Sequence, residues 1–75
     1  MNPVKEIRTD KNLSLSKFAE LLDSNTLTLN NVEEGNCKES TYLTIIRKMS
    51  LKFDEIDDRK LLREYKKWEP CLELS

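Results

Sequence analysis

Gly35 is the only glycine among 75 residues, and Pro3 and Pro70 are the only prolines. Tight hairpin turns depend on glycine, and a fold of many short strands needs one such turn every few residues. One glycine cannot supply them. Helices, whose connections accept Asn, Asp and Ser, are the elements left to this chain. Its length suits one domain whose small core hides about 60% of the unfolded surface. Apolar residues at 37% are enough to close such a core and too many for a disordered chain.

The helix signals run in order. Asn2 can cap a first helix, with Pro3 at the position where a missing N–H costs nothing. Val4, Ile7 and Arg8 share one face, and Asn12 is a plausible left-handed stop. Ser14 caps a second helix with Phe18, Ala19 and Leu22 as its inward stripe, while Leu15 and Leu21 lie off it. Asp23, Ser24 and Asn25 form a polar break. A short third helix, capped by Asn25 or Thr26, turns Leu29 and Val32 inward and Thr26, Leu27, Asn30 and Asn31 outward, and Gly35 ends it. A fourth helix spans about Glu39 to Met49 on Tyr42, Ile45, Ile46 and Met49. Leu51 and Phe53, alternating with Lys52, lead to a fifth helix from about Asp54, which Pro70 stops after Glu69. The expectation is an all-α bundle of five helices: 1–56 as the main unit, and 57–75 as an amphipathic helix and tail in the same domain.

The composition also removes chemistry. Without histidine there is no His-dependent triad and no His-ligated metal site. Cys37 and Cys71 form no C-x-x-C pair and are expected as reduced thiols in a reducing cytosol. No nucleophile–base pair or phosphate-binding glycine loop is present, so neither catalysis nor a cofactor or metal is expected. The N-terminal residues lack the apolar run of a signal peptide. The longest uncharged stretch, Ser24 to Val32, is too short to span a bilayer. A cytoplasmic protein with no membrane partner is expected.

Net charge is −1, unlike the basic balance usual for nucleic-acid binders. The charge is uneven, however. Residues 36–53 carry four basic side chains and one acidic, while the segments on either side are each net negative.

The run VKEIRTDKNLSLSKFAELLDSN, continued by TLTLNNVEEGN, resembles the Cro/cI-like (XRE-type) helix-turn-helix family, and LKFDEI resembles that family's closing segment. The likeness covers about residues 4–56. It rests on Ile7, Arg8, Leu13, Ser14, Ala19 and Leu22, and on Leu29, Val32, Glu33 and Gly35 further along. It implies a lambda-repressor-like fold in which Ala19 lets the second and third helices cross closely. Arg8 is placed to pair with Glu33. The departures are Leu15 where relatives carry Gln, Asp23 at the turn glycine, a shorter connection after Gly35, and no Lys or Arg on the third helix.

The resemblance implies a small DNA-binding transcriptional regulator, repressor-like, such as a phage or prophage carries. It would read a double-stranded operator with the third helix. Thr26, Leu27, Asn30 and Asn31 would face bases: Asn for adenine, Thr for any edge, Leu27 for a thymine methyl. Ser16, Lys17, Asn36 and Lys38 would lie near phosphates. Leu61, Leu62, Tyr65 and Trp68 form a further stripe, expected to make a homodimer because Leu51, Phe53 and Ile56 would already close the core. The alternative is a protein-interaction module on the same fold, an antirepressor or an inhibitor of another regulator, binding its protein partner through Leu15 and Leu27.

Overall fold

A computed structural model describes residues 2–68, so Glu69, Pro70 and Cys71 lie outside the described residues. It contains five helices and, among the described residues, no strand: α1 (Pro3–Asp10), α2 (Leu15–Leu21), α3 (Thr26–Glu34), α4 (Glu39–Lys52) and α5 (Asp58–Trp68). The all-α bundle expected from the sequence is the fold. None of these helices is long and apolar enough to cross a membrane.

The helix ends fall where short polar side chains can satisfy open N–H groups. Asn2 Oδ1 accepts from the Val4 and Lys5 N–H, Ser14 Oγ from Lys17, and Asn25 Oδ1 from Thr28. Gly35 ends α3 in the left-handed region at φ 78°. Asn12 (φ 58°) and Asp23 (φ 53°) adopt the same conformation. Asn and Asp tolerate it best among non-glycine residues, which is how the α2–α3 turn forms with Asp23 in place of glycine.

The core runs through all five helices. Val4, Phe18, Ala19, Leu29 and Val32 come from the first three, Leu22 from the end cap of α2, and α4 adds Tyr42, Ile45, Ile46 and Met49. Arg8 joins α1 to α3 through a two-pronged pair with Glu33: Nε to Oε2 at 2.8 Å and Nη2 to Oε1 at 3.1 Å. Its Nη1 also donates to the Leu13 carbonyl. The buried Glu33 carboxylate is thus paired and hydrogen-bonded, the condition under which a buried charge is tolerated.

Four expectations need correction. α4 continues to Lys52 rather than ending at Met49. Leu51 therefore sits on its outer side, 77% exposed, and does not close the core. Phe53, extended at φ −122° and ψ 109°, breaks the helix, and it and Ile56 are half-buried against the core. α5 begins at Asp58 rather than near Asp54, because the Asp57 side chain accepts from the Arg59 N–H and its carbonyl from the Leu61 N–H. Leu15, expected at the surface, is half-buried and packs on the core.

The largest correction concerns the stripe assigned to a dimer. Leu61 and Tyr65 are buried in their own domain, with Leu62 and Trp68 half-buried beside them. The Tyr42 and Tyr65 rings stack with centroids 4.3 Å apart, and Trp68 meets Tyr65 edge-on at 5.5 Å. Tyr65 Oη donates to the Val32 carbonyl at 2.7 Å. A helix with an aromatic stripe gains the same apolar burial from its own domain as from a second copy, and here its own domain supplies it.

Candidate nucleic-acid interface

The candidate site is the outward side of α3, and its position is set from behind. Leu29, Val32 and Glu33 are the buried residues of α3, and Ala19 on α2 is buried with them. The Val32 carbonyl, near the end of the helix, receives Asn2 Nδ2 at 3.0 Å as well as the Tyr65 hydroxyl. Elements 30 and 33 residues away in the chain therefore fix the rotation of α3 about its axis.

That rotation leaves Thr26 and Leu27 exposed and Asn30 and Asn31 half-buried along one edge. Leu27 is 70% exposed, which no core role explains. The Asn30 and Asn31 side chains make no hydrogen bond among the described residues, and no buried side-chain polar atom is left unsatisfied. Their amides are therefore turned to solvent, where a ligand can reach them. The Asn25 cap claims the Thr28 N–H. The N–H groups of Thr26 and Leu27 stay at the open, electropositive end of the helix.

Ser16 and Lys17 are exposed on the first turn of α2. Asn36 is exposed just past Gly35, its N–H closing α3 on the Asn31 carbonyl at 2.8 Å. Lys38 is exposed at the start of α4, where no side chain caps the first N–H groups. Two of the four thus stand at the start of α2, one just past the end of α3 and one at the start of α4.

Sequence reasoning passed over Lys48. Its Nζ donates to the Asp23 carbonyl at 3.2 Å, bracing the α2–α3 turn from α4. It lies in a groove of about 300 Å³ beside α3 with Ser24, Thr28, Ser40, Thr41 and Thr44 among its neighbours. The positive surplus of residues 36–53 was the available signal. The hydroxyl-lined groove itself depends on α4 packing across α3, which no local spacing reveals.

The outward side of α3 thus offers Thr26, Asn30 and Asn31 as neutral hydrogen-bonding side chains, with exposed Leu27 and Glu34 on the same helix and Lys48 in the groove beside it. No protein-family model matches the chain, and neither the curated proteins nor the solved structures give a significant match.

Proposed function

We propose that this chain is a small DNA-binding transcriptional regulator, repressor-like, that reads a double-stranded operator with α3. The observation that carries the reading is the free edge of α3, with unclaimed Asn30 and Asn31 amides on a helix held rigidly from behind. An Asn side chain can bond adenine through both N6 and N7, Thr26 can bond any base edge, and Leu27 can cover a thymine methyl. Ser16, Lys17, Asn36 and Lys38 serve the phosphates, and Lys48 joins them. The resemblance to Cro/cI-like regulators over residues 4–56 supports the same assignment. The modest positive charge predicts weak non-specific binding: about three lysine–phosphate contacts per copy give log K a slope near −3 against log salt. Gel shifts of the full chain against randomised duplexes at low salt test the reading. Site-specific complexes are expected, and their complete absence would refute it.

Leu27 favours a second reading. An exposed leucine on the first turn of α3 is also what a protein-interaction module presents, an antirepressor or an inhibitor of another regulator. On that reading Leu27→Ser abolishes a protein complex. On the DNA reading it weakens binding modestly and at thymine positions.

A further inference from the structure

Between α1 and α5 lies a groove of about 520 Å³ that α3 does not line. Pro3, Glu6, Ile7 and Asp10 line it from α1, and Asp57, Lys60, Leu61 and Glu64 line it from α5 and its cap. Each set follows the i, i+3, i+4, i+7 spacing of a single helix face, so the groove runs between two such faces. Its floor is aliphatic. Leu61 is buried there, whereas Pro3, Ile7 and Ile56 are only half-buried and stay partly in water.

The charge around that floor is one-sided. Lys11 on the rim is already paired with Glu55 and lies over the Phe53 ring at 4.4 Å, so both charges are engaged. Glu6, Asp10, Asp57 and Glu64 have no cationic partner among the described residues. Four carboxylates thus face a single uncommitted ammonium, that of Lys60. Such a rim repels nucleic acid and anionic surfaces and attracts cations, while the floor takes aliphatic side chains. Grooves between helices recognise helical segments by apolar anchors at the same i, i+3, i+4, i+7 spacing. The eight residues of α1 span about 12 Å, room for about two turns of such a segment.

We propose that the α1–α5 groove docks a basic amphipathic helix of a partner protein. Large aliphatic side chains of that helix cover Ile7, Ile56 and Leu61, and flanking Lys or Arg side chains pair with Asp10 and Glu64. The groove shares no residue with α3, and the inference does not rest on DNA being the ligand of α3.

Titration of the isotope-labelled full chain, followed by its backbone amide NMR signals, tests it. The probe is a synthetic helix of about 15 residues made of leucine and lysine, its leucines at i, i+3, i+4 and i+7. Saturable shifts are expected at Ile7, Asp10, Ile56 and Glu64, and binding weakens as salt rises from about 0.1 M to about 1 M, where screening shortens to about 3 Å. The same helix with glutamate in place of lysine does not bind. With serine in place of leucine it binds at least about tenfold more weakly, because the floor stays wet. Asp10→Lys with Glu64→Lys weakens the leucine–lysine helix at least about tenfold, leaves the circular dichroism unchanged and admits the leucine–glutamate helix. Absence of saturable binding, shifts centred on another face, or a serine–lysine helix or spermidine that binds as tightly as the leucine–lysine helix would each overturn the proposal. So would a charge-reversed chain that binds as the wild type does, or groove signals that move with chain concentration alone, which would put a second copy there.

Discussion

Tyr65 gives the sharpest test of how α3 is held. Its side chain is fully buried, its ring stacks on Tyr42, and its hydroxyl donates to the Val32 carbonyl. Tyr65→Phe removes the hydroxyl and keeps the ring. The Val32 carbonyl retains Asn2 Nδ2, so no buried acceptor is orphaned, and the loss is about 1 kcal/mol. For a domain of this size that lowers the melting temperature by about 4–8 °C. Tyr65→Ala also removes the ring from between Tyr42 and Trp68 and leaves a cavity, at a cost of about 3–5 kcal/mol. A domain of this length has about 4–11 kcal/mol of stability in all, so that variant is at or near the limit of folding. Thermal and urea unfolding followed by circular dichroism measure both. If Tyr65→Ala loses less than about 1 kcal/mol, α5 is not part of the core, and the account of how α3 is positioned fails with it.

Three further outcomes follow from the same contacts. Arg8→Met leaves the buried Glu33 carboxylate without its partner and should cost about 3–5 kcal/mol in chemical denaturation, whereas Arg8→Met with Glu33→Leu recovers most of it. Leu27→Ser should change stability by less than about 0.5 kcal/mol and Leu15→Ser by clearly more, because only Leu15 packs on the core. The Lys11 ammonium bonded to Glu55 holds that carboxyl below its ordinary range, so the stabilisation is present above the unfolded pKa and is lost as pH falls through the lower folded value. Carboxyl titration by NMR should show the Glu55 pKa rising toward its ordinary value in Lys11→Met.

The features legible in the sequence were the local ones. Asn2, Ser14, Asn25 and Gly35 mark helix ends through bonds to backbone groups a few residues away. The α4 stripe of Tyr42, Ile45, Ile46 and Met49 follows helical spacing and is buried as read. The Arg8–Glu33 pair was legible through the family resemblance, although it joins α1 to α3 across 25 residues. The bond from Tyr65 to Val32 was not, since periodicity says nothing about a contact 33 residues away. Nor could spacing tell whether the α5 stripe met its own domain or a second copy, because both demand the same pattern. Leu51 was misread because alternation with Lys52 and Phe53 resembles an extended segment, while one more turn of helix carried it outward. On α3, Thr26 and Leu27 are exposed as read, whereas Asn30 and Asn31 are half-buried, because they stand next to the buried Leu29 and Val32.

Base reading by α3 is the central claim, and duplex selection with paired variants tests it most directly. Wild type and Asn30→Ala are each enriched on the same randomised duplex pool, and Asn31→Ala is run beside them. The account predicts a defined wild-type site, with adenine at the positions the asparagines contact. Each variant should lose about 1–3 kcal/mol of affinity and relax preference at one position only. A wild type that enriches no site, or variants that select the same site with the same preference throughout, would contradict it.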